Sequence, residues 1–219
     1  MNITIISDTH LSHRFDVRKY KYLVSILASA DRVIINGDFW DGYLTSFDQF
    51  VTSPWKKLFP LLKKKKALYL FGNHDKREYS DTRIRLFCTQ AHTEMKLDFG
   101  RYRLHIEHGD RVVPLIDSYI PWVQRHAFLT RIAQNYERVG LSILGTRFLL
   151  LEYTKHNNRM KEYARTSIPH NAILLCGHSH LPELSLSKRF ANSGFINHGY
   201  GSYLRIDKDE LSLIREQYE

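Results

Sequence analysis

The sequence predicts a layered α/β domain, and two observations lead to this prediction. Short apolar runs typical of buried strands alternate with helix-patterned segments in the first third of the chain, and antiparallel strand patterns follow. In addition, residues that can bind metal or transfer protons come directly after five of the apolar runs. Because open α/β sheets bind ligands at the carboxyl ends of their strands, we expect these residues to face a common cleft.

Three strands are predicted in residues 1–71, with a helix between the first and the second. Residues 2–7 form a buried parallel strand, and apolar residues at helical spacing predict a helix over residues 17–30. Residues 32–36 form the second strand and residues 67–71 the third. Each strand is predicted to deliver polar residues at its carboxyl end.

The segment between the second and third strands is predicted to be helical. Ser53 and Pro54 are typical of an N-cap and first helical turn, and Pro60 is expected to kink or end that helix. The basic run Lys63–Lys66 has two interpretations. It is either a solvated helix terminus, which the helix dipole favours, or a dedicated anion site.

The second half is predicted to contain strands around one helical insertion. The pattern of residues 94–107 predicts two strands that meet at Gly100. Three further short strands are predicted near the end of the chain. These three cover residues 183–187, 201–206 and 211–215.

Residues 111–170 form the predicted insertion. Gly140 and Gly145 are expected to interrupt its helical pattern, and a second helix is expected from Thr146 to about Arg165. The segment contains nine Lys and Arg residues and four Asp and Glu residues. The excess of five positive charges is over half of the net charge of the chain. The segment is either a helical hairpin packed on the domain, or a lid with an apolar inner face and a basic rim, and both interpretations remain open.

Composition limits the class of protein and its partners. The hydrophobic content of 43% is that of a globular chain, and the net charge of +9 favours anionic partners, such as nucleotides, phospholipid surfaces or nucleic acid. Cys88 and Cys176 offer no disulfide framework, and Cys176 lies in an apolar run. Since no signal peptide or membrane-spanning run is recognised, the expected location is a reducing cytoplasm.

Seven residues at the strand ends have side chains that can bind metal. They are Asp8, His10, Asp38, Asn73, His108, His178 and His180. Any one motif, such as Gly-Asn-His-Asp at residues 72–75, could be an ordinary turn, but five in series favour a site. Seven such groups suit two divalent ions that share a carboxylate, and the mixed carboxylate and imidazole set favours manganese, with iron and zinc as alternatives. Two such ions can hold a bridging hydroxide for in-line attack on phosphorus.

The ordered series Asp-x-His, Gly-Asp, Gly-Asn-His-Asp, His and Gly-His-x-His resembles the calcineurin-like metallophosphoesterase family. The resemblance covers essentially the whole chain outside the helical insertion at 111–170, and residues 1–219 are predicted to form a single domain. It implies a β-sandwich flanked by helices. It also implies the ligand sets: Asp8, His10 and His180 on one metal, Asn73, His108 and His178 on the other, and Asp38 bridging both. His74 would contact the phosphoryl oxygen or protonate the leaving group. By the family's Gly-Asp-x-x-Asp loop, Asp41 would orient His74, with a surface loop carboxylate as the alternative.

Within the family, the chain resembles the UDP-2,3-diacylglucosamine pyrophosphohydrolases in length and in its helical insertion. That resemblance implies a lipid-linked nucleotide or another phosphorylated small molecule as substrate, and peripheral contact with the inner membrane face. The predicted substrate contacts are Trp122, Arg125, Phe128 and Arg159, with Phe148 and Leu149 as further apolar candidates. His74 is a departure, because the commonest form of that group has Arg there, and a histidine general acid suits a broader phosphoesterase.

Two alternatives to this substrate class remain. The first is a phosphodiesterase or nuclease of the same superfamily, although no aromatic residues along a basic groove indicate nucleic-acid binding. The second is a non-enzymatic scaffold, which is disfavoured because all seven ligands are present.

Overall fold

The strands of the chain form two sheets. The structure is a computed structural model that describes residues 1–114, 127–207 and 210–219. The strands in these residues are β1 (Ile3–Ile6), β2 (Arg32–Asn36), β3 (Leu68–Leu70), β4 (Gln90–His92), β5 (Glu94–Phe99), β6 (Tyr102–Glu107), β7 (Ala172–Cys176), β8 (Glu183–Ser185), β9 (Phe190–Asn192), β10 (Ile196–Asn197), β11 (Tyr200–Asp207) and β12 (Glu210–Gln217).

Helices flank these strands. The described α-helices are α1 (Val17–Ala28), α2 (Phe47–Thr52), α3 (Phe59–Lys64), α4 (Ala127–Leu144) and α5 (Arg147–Thr166). Four short 3₁₀ helices are also described: Pro54–Leu58, Arg77–Tyr79, Thr82–Leu86 and Leu186–Lys188.

The larger sheet has the strand order β10-β11-β1-β2-β3-β4, with β12 paired to β11. Its strands β1 to β4 are parallel, and β11 is antiparallel to β1. The smaller sheet has the order β5-β6-β7-β9-β8, with β6, β7 and β9 parallel. The parallel strands of each sheet therefore end at a common edge, and the predicted site residues follow these ends.

A four-layer arrangement buries the core. Ile5 and Ile34 of the larger sheet share an apolar cluster with Leu104 and Ile106 of the smaller sheet. The other face of the larger sheet packs against α1, α2 and α3 in a second cluster, and α5 packs against the smaller sheet. This confirms the predicted α/β class, in which packed sheets are flanked by helices.

Most predicted elements are present, with differences at short segments. Ser53 caps the 3₁₀ helix Pro54–Leu58 by accepting from the Trp55 amide, and Pro60 lies in the first turn of α3. The strands β4, β9 and β10 were not predicted, since two or three residues are too few to show a period. None of the described helices combines the length and apolar character needed to cross a bilayer.

Gly140 does not interrupt a helix, contrary to the sequence prediction. It lies inside α4, whereas Gly145 follows the end of α4 with a φ of +56°. A Cβ at Gly140 would lie 2.3 Å from Cδ2 of Phe148, a buried residue of α5. The glycine is therefore a packing contact between the two helices of the insertion.

Substituting Gly140→Ala is expected to destabilise the pairing of α4 and α5. Alanine has a helix propensity about 1 kcal/mol more favourable than glycine, but overpacking against the Phe148 ring typically costs about 1–3 kcal/mol. Amide hydrogen exchange in α4 and α5 should therefore become faster. Gly145→Asn is the control, since nothing lies within 4 Å of a Cβ there and asparagine tolerates positive φ. Equal or slower exchange in Gly140→Ala would contradict the packing role.

Candidate metal centre

Five of the seven predicted ligands have left-handed backbone conformations. The φ angles are +51° at Asp8, +45° at His10, +52° at Asp38, +67° at His178 and +59° at His180. Such a conformation costs a non-glycine residue about 1–3 kcal/mol, and it concentrates at functional sites. The backbone is therefore strained at the positions where the side chains converge.

Two glycines allow these strand-end loops to approach each other. A Cβ at Gly72 would lie 2.3 Å from Oδ1 of Asp38, and one at Gly177 would lie 2.5 Å from Oδ2 of Asp8. Because any larger residue would displace these carboxylates, both positions require the absence of a side chain. The pattern of glycine before a polar residue thus has a steric cause.

Asp8, His10 and His180 form the first cluster of candidate ligands. Nε2 of His10 lies 3.2 Å from Nε2 of His180, and Oδ1 of Asp8 lies 3.5 Å from the latter atom. Two imidazole nitrogens and a carboxylate oxygen at this separation match a cation site that draws ligands from two histidines and one carboxylate.

Asp38, His108 and His178 form the second cluster, and all three are buried. Oδ2 of Asp38 lies 3.2 Å from Nε2 of His108 and 3.9 Å from Nε2 of His10. One carboxylate oxygen therefore faces both clusters, as a bridging ligand would.

Backbone carbonyls fix the tautomers of two histidines in the second cluster. Nδ1 of His108 donates to the carbonyl of Asn36 at 2.9 Å, and Nε2 of His178 donates to the carbonyl of Val113 at 2.8 Å. When the ring is neutral, the opposite nitrogen of each histidine therefore carries the lone pair. Nε2 of His108 is buried without a hydrogen-bond partner, so the donor set fits a cation.

The ionisation states of Asp38 and His10 also suit cation binding. Burial would raise the pKa of Asp38, but the charges of His108, His74 and His10 together hold that pKa well below its usual range. Burial lowers the pKa of His10 to about 4, so this imidazole is neutral at neutral pH. For His108, the charges of Asp38 and Asp8 overcome burial and raise the pKa. A cation must displace that proton, so metal affinity is expected to fall as pH falls.

His74 and Asp41 meet as the sequence predicts. Nδ1 of His74 lies 3.1 Å from Oδ1 of Asp41, and the His74 amide donates to Oδ1 of Asp38 at 2.9 Å. Asp41 is fully buried, so the alternative of a surface loop carboxylate is wrong.

A cavity of about 160 Å³ lies over these clusters. Its lining includes His10, Asp38, Asn73, His74, His178 and His180, together with residues of α4 and α5. Asp8, Asp41 and His108 do not line it, and each is at most 1% exposed. All seven predicted ligands and His74 are therefore brought together at one edge of the two sheets.

The predicted substrate contacts are placed differently. Phe128 is 70% exposed and Arg159 is exposed, and neither lines the cavity. Trp122 and Arg125 lie outside the described residues. Phe148 and Leu149 are buried against Leu181 and Phe195, so they anchor the insertion. The family resemblance implies an apolar cap over the substrate, but it does not reveal which side of a helix faces the site.

Sequence reasoning missed the residues through which the insertion does contact the site. Thr130, Ala133, Gln134, Glu137 and Tyr153 line the cavity. Gln134 donates to Oδ2 of Asp41 at 3.0 Å, and Glu137 contacts His180. The spacing 130, 134, 137, 141 is a helical stripe, but the apolar residues elsewhere on α4 concealed it.

Asp75 stabilises the turn that carries Asn73 and His74. Its carboxylate accepts from the amides of Gly72 and Phe39, both at 2.7 Å, and from the hydroxyl of Tyr69. Burial and the charge of Asp38 raise its pKa to about 6. The sequence interpretation of Asp75 as a turn brace agrees with these contacts.

Asp75→Asn is expected to destabilise the fold by about 1–3 kcal/mol, because the amide group would face a buried N–H donor. The pH dependence should also change. The carboxyl holds its proton to higher pH in the folded protein than its unfolded value of about 3.9, so its contribution to stability falls as pH rises from about 4 to about 6. Chemical denaturation across this range measures both effects. Tyr69→Phe, which removes one donor only, should cost less, and an unchanged profile in Asp75→Asn would contradict the assignment.

Comparisons with known proteins identify the family of the chain. Residues 1–207 match the family model of the calcineurin-like phosphoesterase superfamily domain. Similar solved structures include an archaeal phosphodiesterase, with 16% identity, a TM-score of 0.52 and coverage of 99% of this chain and 100% of that chain. YfcE, a phosphoesterase from E. coli, has 15% identity, a TM-score of 0.50 and full coverage of both chains. Zinc-bound Vps29 from Entamoeba histolytica has 13% identity, a TM-score of 0.51 and 99% coverage of both.

At these identities, the likeness to solved structures establishes the fold alone. Comparison with curated protein sequences gives no match. The family model, however, spans nearly the whole chain. The chain therefore belongs to the calcineurin-like phosphoesterase superfamily.

Proposed function

We propose that the protein is a metal-dependent phosphohydrolase that holds two divalent ions at the cavity. The observation that carries the proposal is the position of Oδ2 of Asp38 between His108 and His10, which belong to different clusters. A scaffold would gain nothing from strained backbone at the five positions that bring these groups together. The retained ligand set therefore favours an enzyme.

The proposed ligands divide into two sets that share Asp38. Asp8, His10 and His180 hold one ion, and Asn73, His108 and His178 hold the other. When bound, a pair of such ions supplies a water-derived nucleophile and neutralises charge on the phosphoryl group. The donor set favours manganese, with iron and zinc as alternatives.

His74 is the proposed general acid or phosphoryl contact. It lines the cavity but is not needed in either ligand set. The buried Asp41 carboxylate accepts from Nδ1 of His74, which holds the tautomer and stabilises the charged ring. His74 thus donates from Nε2 to a leaving oxygen.

The chain is expected to release nitrophenol from generic phosphodiester and phosphomonoester substrates when manganese is supplied. His74→Ala should lower kcat by about 10²- to 10⁴-fold, the usual contribution of a general acid, while metal content stays at the wild-type level. Asp38→Ala should lose both ions, because its carboxylate faces both clusters. His13→Ala is the control, since His13 lies in the first loop but is exposed. Loss of metal from His74→Ala would contradict its assignment.

For the substrate, we propose a lipid-linked phosphate anion, such as the UDP-2,3-diacylglucosamine class, met at a membrane surface. The insertion exposes large apolar side chains at Phe128, Ile132, Tyr136, Val139, Ile143, Leu144, Leu150 and Leu151. Between residues 127 and 151, the exposed charges are Arg131, Arg138 and Arg147, whereas the acid Glu137 is buried. An apolar face with a positive rim suits an anionic bilayer surface.

Ile143→Glu and Leu151→Glu are expected to weaken binding to vesicles that contain anionic lipid and to slow turnover of a UDP-diacylglucosamine substrate. Turnover of a soluble nitrophenyl ester should not change. Vesicle co-sedimentation and the two rates provide the measurement. The matched control is Leu186→Glu, because Leu186 is also exposed but lies outside the insertion. Diester turnover without any activity on the lipid-linked substrate would favour the broader phosphodiesterase instead.

A further inference from the structure

We infer that Glu137 is a positioning residue that completes the candidate metal centre from the helical insertion. The inference rests on the proposed metal-dependent function and deepens it, because it makes the insertion part of the site. Glu137 lies on α4, distant in sequence from all the strand-end motifs, and is 5% exposed.

Glu137 is placed by three contacts. Its Oε1 lies 2.5 Å from Nδ1 of His180 and accepts from the Tyr153 hydroxyl at 3.3 Å. Its Oε2 lies 3.5 Å from Nε2 of His198. A carboxylate that is almost completely buried needs such partners, so the side chain is fixed in position.

The contact with His180 determines which nitrogen of that ring is available. Since the carboxylate accepts from Nδ1–H, Nε2 faces the first cluster, where it lies 3.2 Å from Nε2 of His10 and 3.5 Å from Oδ1 of Asp8. A carboxylate behind a ligating histidine holds its ring orientation and increases its basicity. Glu137 would thus strengthen one ion site and not the other.

A second contact ties the same helix to His74. Gln134 lies one turn before Glu137 and donates to Asp41, which contacts Nδ1 of His74. One face of α4 therefore contacts both the first ligand cluster and the Asp41 carboxylate that orients the proposed general acid. Removing the insertion would disturb the site itself, so point substitutions are the appropriate test.

The experiment titrates Mn²⁺ into metal-free full-length protein and measures the stoichiometry and affinity of each site by calorimetry and by electron paramagnetic resonance. Glu137→Gln keeps the size of the side chain but removes its charge, and it should weaken one of the two sites about 10-fold. Glu137→Met also removes the acceptor and should weaken that site by up to about 100-fold. The site formed by Asp38, His108 and His178 should keep its affinity.

The matched control is Glu152→Gln, the same change at an exposed acid of α5 that contacts Tyr136 rather than the centre. Nitrogen NMR of the histidines gives a second readout, since the Nδ1–H form of His180 should lose population in Glu137→Met. Wild-type affinity at both sites in Glu137→Gln and Glu137→Met would overturn the role of Glu137. If the wild-type protein binds no ion pair, the proposed function fails instead. Should Glu137→Met unfold, the isosteric Glu137→Gln decides.

Discussion

The structure depends on the burial of two carboxylates among imidazoles. Asp8 is fully buried, Asp38 is 2% exposed, and each charge raises the free energy of ionising the other. Such a pair is stable only when positive charge lies nearby. Protonated histidines can supply that charge, as the raised pKa of His108 indicates, but a divalent cation supplies more of it at shorter range. The same electrostatics that would destabilise an empty site therefore drives cation binding.

The two sheets provide the rigidity that this arrangement requires. Parallel strands β1, β2 and β3 end beside each other in one sheet, and β6 and β7 do so in the other. Their buried apolar faces pack together, so the loops that follow have fixed origins. Left-handed backbone at Asp8 and Asp38 then turns the side chains inward. The cost of that conformation is offset by core packing elsewhere, as is usual for strained functional loops.

The helical insertion has two chemically different faces. The inner stripe of α4 places Gln134 and Glu137 against the site, while its outer stripe exposes Phe128, Ile132 and Ile143. A surface that binds the outer face would therefore bind the same helix that contacts His180 and Asp41. The exposed apolar face and the geometry of the site are thus connected through one helix. The two sequence interpretations, packed hairpin or lid, treat these as separate possibilities.

The sequence by itself determined the α/β class, through alternating strand and helix patterns, and the set of candidate ligands, through the strand-end motifs. Glycine followed by Asp, Asn or His after an apolar run has a local cause, so it can be recognised in sequence. The sequence wrongly predicts a helix interruption at Gly140, because this glycine instead leaves room for Phe148 of another helix. Glu137, likewise, has no neighbour in sequence that reveals its partner, since His180 is 43 residues away. Only tertiary packing brings a helix face to a strand end, and it alone decided which residues of the insertion belong to the site.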